Sequence, residues 1–201
     1  MDNRKSFQRL LDHAETMVQC GQEYEGFSAM PEARMQYDAA LAVLNVLAAD
    51  TTVARQEAVV PLERVHGLLA SLCQRKREFE QAANHWKEQI AQHAKSFGDS
   101  ASGLVDIYVS LCGVYLNHLN KVSDARAAAE KALEILAENG SQVSSSAIFV
   151  NYYLCLCHRS AGNKAAAAVA LNRAVAMLDF NPALITPVEA NVIRALASEF
   201  A

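Results

Sequence analysis

The run Cys155-Leu156-Cys157-His158 holds the densest set of metal-ligating side chains in the chain. Two thiolates and an imidazole suit zinc, but a closed zinc site takes four ligands and no second pair follows at a suitable spacing. Cys155 and His158 share one helical face, so buried thiols in a packed helix are the better reading. His85 and His93 stand two helical turns apart, too far to share one ion without other ligands, and are expected at the surface or rim. Gly162-Asn163-Lys164 lacks the spacing of a phosphate loop, and no strand precedes it. There is no Gly-x-Ser-x-Gly elbow. No nucleophile, base and orienting group can be assembled. The sequence is therefore read as non-enzymatic, with no catalytic residue, no cofactor and no metal. Arg75-Lys76-Arg77 reads as a solvated helix end, where positive charge suits the helix dipole. Docking of an anion or acidic partner there is the second reading.

The elements that would position these groups are helices. Of 201 residues, 52% are hydrophobic, while prolines number only four and glycines eight. That composition can bury a core, and it favours long helices over many short strands. The net charge of −4, with no long basic block, argues against nucleic acid as a partner. No apolar run is long enough to insert in a membrane. The five cysteines, Cys20, Cys73, Cys112, Cys155 and Cys157, are odd in number, and the N-terminal residues carry no signal-peptide pattern. Reduced, buried thiols in a cytoplasmic protein are expected.

Helical periodicity recurs along the chain. Leu10, Ala14, Met17, Cys20, Gly21 and Tyr24 mark one face of a first helix. Ser28 and Met30-Pro31 punctuate it, and a second helix carries Ala33, Tyr37, Ala40 and Leu41. Thr51 or Thr52 is placed to cap the third helix, and Pro61 predicts a kink or short break within it. A fourth helix presents Ala82, Ala83, Trp86 and Ile90 and ends at Gly98. A third pair starts near Ser100 or Ser102, turns at residues 120–123 and stops at Asn139-Gly140. The fourth pair turns at Gly162, a residue free to take positive φ. Thr186-Pro187-Val188-Glu189 then has the form of a capping box opening a last helix.

Two sets of small or thin residues keep step. Gly21, Ala70, Cys112 and Cys155 fall in the first helices, and Ala33, Ala82, Ala125 and Ala167 in the second. Both sets give a first interval of 49 residues followed by intervals of 42 or 43. The first halves read Cys20-Gly21-x-x-Tyr24, Leu69-Ala70-x-x-Cys73, Leu111-Cys112-x-x-Tyr115 and Leu154-Cys155-x-x-His158. The second halves read Ala33-x₃-Tyr37, Ala82-x₃-Trp86, Ala125-x₃-Ala129 and Ala167-x₃-Leu171. This set resembles the tetratricopeptide repeat (TPR), whose pattern is L-G-x₂-Y followed by A-x₃-F. At 42 or 43 residues the units exceed the usual length, about 34, and are similar to the long repeats of kinesin light chains. The third repeat carries one extra residue in its turn.

The resemblance implies an all-α, right-handed α-solenoid of about four TPR helix-turn-helix repeats, over residues 6–50, 51–98, 99–140 and 141–180, with a capping helix at 186–200. Residues 1–201 would form a single domain. It also puts Trp86 in the repeat's aromatic core slot, and makes the chain a protein-interaction scaffold or adaptor that takes a peptide or helix of a partner in a concave groove. The groove side of the first helices would present Gln22 and Glu25, then Arg64, Ser71, Gln74 and Arg75, then Asp106, Val109, Leu116 and Asn117, then Phe149, Tyr152, Leu156 and Arg159. Phe149 and Tyr152 have a second reading, packing against the terminal helix. Some relatives grip acidic chaperone tails through a basic, asparagine-containing clamp; the matching positions hold Val18, Gln22, Leu68, Asp106 and Ser110, so that partner is not expected. A dedicated chaperone holding a client is the alternative function, and self-association through an exposed groove or end is a further reading.

Overall fold

The computed structural model describes residues 3–49, 52–140 and 143–200, and among them the secondary structure is entirely helical. The chain forms two compact units, residues 1–99 and 100–201.

In the first unit, α1 (Asn3–Gly26) folds back on α2 (Met30–Ala49), and α3 (Thr52–Arg75) folds back on α4 (Phe79–Phe97). Helix α3 also packs against α2, and touches α1. The second unit repeats the plan: α5 (Leu104–Asn117) pairs with α6 (Val122–Glu138), and α7 (Ser145–Ser160) with α8 (Lys164–Phe180). Helix α7 packs against both α5 and α6, and α9 (Pro187–Ser198) lies on α8 after a short 3-10 turn at Pro182–Leu184. A lone helical hairpin leaves an apolar face in water; a neighbouring hairpin covers it.

The repeat is visible in the backbone of the turns. Each hairpin turns through one residue with positive φ: Ser28 at 60°, Arg77 at 63°, Asn120 at 53° and Gly162 at 75°. These four positions follow the same intervals as the small-residue anchors. In three turns an N–H reaches back five residues, as in a Schellman closure: Ala29 to Tyr24 at 2.8 Å, Glu78 to Cys73 at 2.8 Å and Asn163 to His158 at 2.9 Å. The third turn has its extra residue, so Lys121 reaches back to Tyr115, at 2.9 Å. Four residues after each of these donors stands an alanine, and Ala33, Ala82, Ala125 and Ala167 are all fully buried. Each donates its own N–H to that residue's carbonyl at 3.0 Å, closing the first turn of its helix.

The first-helix anchors are buried as well. Gly21 accepts the ring of Tyr37 against its backbone. The Cys112 thiol donates to the Ala125 carbonyl at 3.3 Å, joining the two anchors of one hairpin. Cys73, Cys112, Cys155 and Cys157 are buried free thiols and Cys20 is half-buried. Burial pushes the Cys112 thiol up to about 12 and Cys157 up to about 11.

Several expectations need correction. Leu10 and Tyr24 do not face the core of the first hairpin; they are 42% and 38% exposed, and Ala14, Val18 and Gly21 face inward. The sequence arc of α1 is broadly apolar, and the partners of α1 cover only part of it. Pro61 introduces no break, because α3 runs unbroken from Thr52 to Arg75. The lost backbone bond costs about 3 kcal/mol, and Ala58, Leu62, Val65 and Leu69 are buried along the same helix, each large aliphatic side chain contributing about 1.5–3 kcal/mol. Helix α6 starts at Val122, inside the expected turn, and α5 starts at Leu104 after Gly103 without a side-chain cap. Thr51 lies outside the described residues, as does the Thr52 side chain. At α9 the expected capping box is present: the Glu189 N–H donates to Thr186 Oγ1 at 3.3 Å, and the Thr186 N–H to Glu189 Oε2 at 2.8 Å.

Candidate functional site

The predicted groove residues are all exposed or half-buried, and they divide between the two units. In the first unit they are drawn into internal pairs. Arg64 on α3 donates to Glu15 on α1 at 2.5 Å and to Gln22 at 3.1 Å. Arg75 pairs with Glu25 at 2.5 Å, so the basic cluster at the end of α3 is partly neutralised from α1. Gln74 accepts from the Trp86 indole N–H at 3.2 Å. Trp86 is a core residue, as its repeat position implies, and it also lines a cleft. That cleft, about 440 Å³, is lined by Arg64 and Ser71 together with Val60, Gly67, Leu68 and Gln89 among others.

In the second unit the predicted groove residues are more apolar. Along α7, Phe149, Tyr152, Leu156 and Arg159 follow one helical stripe, the first three half-buried and Arg159 exposed. On α5, Asp106, Val109 and Leu116 form the matching stripe, with Asn117 exposed at its end. Two contacts fix the register of α5 on α7. Asp106 accepts from the Ser146 hydroxyl, and the Tyr153 hydroxyl lies 3.0 Å from where a Gly113 Cβ would be. Both contacts have a 40-residue offset, which puts Val109 level with Phe149 and Leu116 level with Leu156. Arg159 continues the offset, donating to Glu199 just beyond α9 at 3.1 Å.

The Tyr152 and Tyr153 rings lie 5.6 Å apart, tilted by 52°. Burial raises both phenols, Tyr153 to about 12, while Arg159 pulls Tyr152 the other way. Tyr153 was not marked by the sequence reading; its role depends on the missing side chain at Gly113, a long-range match. Val18, one of the positions compared with the chaperone-tail clamp, is a core residue and not on any open face.

His85 and His93 stand half-buried at the rim, and each has a partner. His85 meets His66, a buried residue the sequence reading passed over, with Nδ1 to Nδ1 at 3.2 Å. His93 meets Glu63 at 2.8 Å and is only 13% exposed at its side chain. Among the described residues, no three His, Cys, Asp or Glu side chains converge as a metal site. Another missed residue is Arg34. From α2 it bonds Asp38 at 2.8 Å, and at 3.3 Å each it reaches Cys73, Glu78 and Gln81 of the next hairpin.

No family model matches the chain, and no curated protein matches it by sequence. Among solved structures it is similar to BtubC (BKLC) from P. vanneervenii, with a TM-score of 0.73 and 17% identity over 98% of this chain and 80% of that one. It is also similar to the nearly identical TPR-like repeats of a Podosopora anserina putative kinesin light chain, in two crystal structures. One has a TM-score of 0.63 and the other 0.60, each at 16% identity over 92% of this chain and 90% of that one. The fold is TPR-like. Identities this low carry the fold alone, but that fold matches what the repeat spacing implied, including the likeness to kinesin light chains. In the second unit the first helices of the two hairpins, α5 and α7, are in contact. No helix among the described residues is long and apolar enough to cross a membrane.

Proposed function

We propose that this TPR-like chain is a non-enzymatic scaffold that binds a peptide or helix of a partner protein, and that the anchoring surface is the α5–α7 face. The observation that supports this most is the half-buried stripe of Val109, Leu116, Phe149, Tyr152 and Leu156, ending at Arg159. Aromatic, aliphatic and arginine side chains at the rim of a rigid surface are the types that anchor interfaces. An amphipathic helix could lay its apolar face along such a stripe. The first-unit residues Gln22, Arg64, Ser71, Gln74 and Arg75 contribute polar recognition at most, since four of them already have protein partners. Residues 1–201 act as one cytoplasmic binding module in this reading, with neither nucleic acid nor a membrane as partner. The test is affinity capture from a native lysate, repeated with Tyr152→Ala and Arg159→Ala. Loss of the same captured protein in both variants supports the reading; undiminished capture by both moves the site elsewhere. The chaperone alternative draws on the same stripe and differs in preferring unfolded clients, which binding to a denatured chain would reveal. Light scattering of the free protein reports on self-association.

A further inference from the structure

We propose that His66 and His85 form a proton-operated clasp inside residues 1–99: neutral, the pair makes one N–H···N bond across the α3–α4 interface and holds that hairpin closed, and protonation of both rings drives them apart. His66 lies on α3 and is 7% exposed. Its Nδ1 faces Nδ1 of His85 on α4 at 3.2 Å, with ring centroids 5.4 Å apart and planes tilted by 39°. That separation suits one N–H···N bond between neutral imidazoles, one donating and one accepting. Two imidazolium rings would set donor against donor, and charge against charge, in a site largely closed to water.

The surrounding charges do not relieve this. On α3, the nearest carboxylate along the helix, Glu63, is engaged by His93 of α4. On α2, Arg34 opposes protonation of His85; Asp38 favours it, but its carboxylate is bonded by Arg34 at 2.8 Å. Glu88 on α4 favours a charged His85 from the exposed side. Cys73 on α3 and Glu78 in the turn are also taken up by Arg34. On α1, Glu15 and Glu25 are paired to Arg64 and Arg75. None of these carboxylates lies against the His66 ring with a free oxygen.

The direction of the effect follows. Burial first, and His85 second, push His66 down to about 4, and burial followed by Arg34 pushes His85 below its ordinary value. Unfolded histidine takes its proton near 6.5. The stabilising contribution of the neutral pair is therefore present above that pH and lost as pH falls from about 6.5 towards 4. In that window unfolding takes up as much as one extra proton at His66, so the unfolding constant rises up to about tenfold per pH unit. Helix α3 carries Arg64, Ser71, Gln74 and Arg75, so acid would loosen the helix that presents them. The clasp stands independently of the binding role proposed above.

The experiment uses the full chain. Denaturant unfolding is followed at pH 7.5, 6.5 and 5.5 for the wild type, His66→Asn and His85→Asn, alongside an NMR titration of the histidine rings in the wild type. The expected result is a wild-type unfolding constant that climbs more steeply with acid than that of either variant, by up to about tenfold per unit. The His66 ring should titrate well below 6.5, with amide exchange in α3 and α4 quickening as it does. Parallel pH profiles for all three proteins, or a His66 ring that titrates near 6.5, would overturn the proposal. If a variant does not fold, the ring titration of the wild type decides alone.

Discussion

A β-carbon placed on Gly21 would stand 2.4 Å from Cε1 of Tyr37, inside the ring's van der Waals envelope. Tyr37 itself is fully buried, so the ring has nowhere to retreat. Helix α1 and helix α2 approach this closely because one residue has no side chain. Gly21→Ala should therefore destabilise the protein even though alanine is the better helix former by about 1 kcal/mol. Overpacking costs about 1–3 kcal/mol, and Gly21→Val should cost more than Gly21→Ala. Thermal melting by circular dichroism gives the order; a more stable Gly21→Ala would show the ring to be movable.

The buried alanines make the same case from the second helices. Ala82→Arg and Ala167→Arg each force a long cation into a fully buried position. Each should lower stability by at least about 1–3 kcal/mol. The same substitution at Ala127, exposed on α6, should change it by no more than about 0.5 kcal/mol. Chemical denaturation of the three variants tests the contrast, and equal stabilities would mean that the packing faces are wrongly assigned.

The turns predict effects of opposite sign. Ser28 and Arg77 hold φ near +60°, where an L side chain costs about 1–2 kcal/mol. Arg77→Gly should relieve that and raise stability, by less than about 1 kcal/mol once the greater freedom of the unfolded glycine is counted. Gly162→Ala should lower stability by about 1 kcal/mol. Denaturation midpoints of the two variants moving in the same direction would contradict the assigned turn geometry.

The capping box of α9 gives a pH-dependent effect. Hydrogen bonds from the Thr186 side chain and backbone hold the Glu189 carboxyl below the usual carboxylate range. A depressed carboxylate stabilises the fold above its unfolded pKa, and the contribution disappears as pH falls through the folded value. Thr186→Ala should cost about 0.5–2 kcal/mol near neutral pH and less in acid. A cost that does not change with pH would remove the carboxylate from the account.

Most of the architecture could be read in the sequence because its signal is periodic and local. The four buried alanines and the intervals between them needed no knowledge of distant contacts. The capping box at Thr186 and the stop at Gly162 were equally legible, since their residue types are tied to one backbone role. Ser28 and Arg77 were not, because neither residue type announces a left-handed conformation. The His66–His85 contact and the reach of Arg34 depend on the register between helices, which no short stretch records. Leu10 and Tyr24 were misplaced because the apolar arc of α1 is wider than the face its neighbours cover. The residues predicted for a groove are exposed or half-buried, but the internal pairing of some of them, Arg64 with Glu15 and Arg159 with Glu199, joins residues 49 and 40 apart.

The burial of four of the five cysteines has a practical side. The thiolate is the nucleophile that attacks a thiol reagent, and a sulfhydryl held in its protonated form inside packed helices offers almost none. Native protein treated with a maleimide should be modified slowly, and first at Cys20. A cysteine engineered onto the open side of α7 could thus be tagged selectively, giving a fluorescent reporter that tests the docking proposed there without stripping the natural sulfur atoms from the interior.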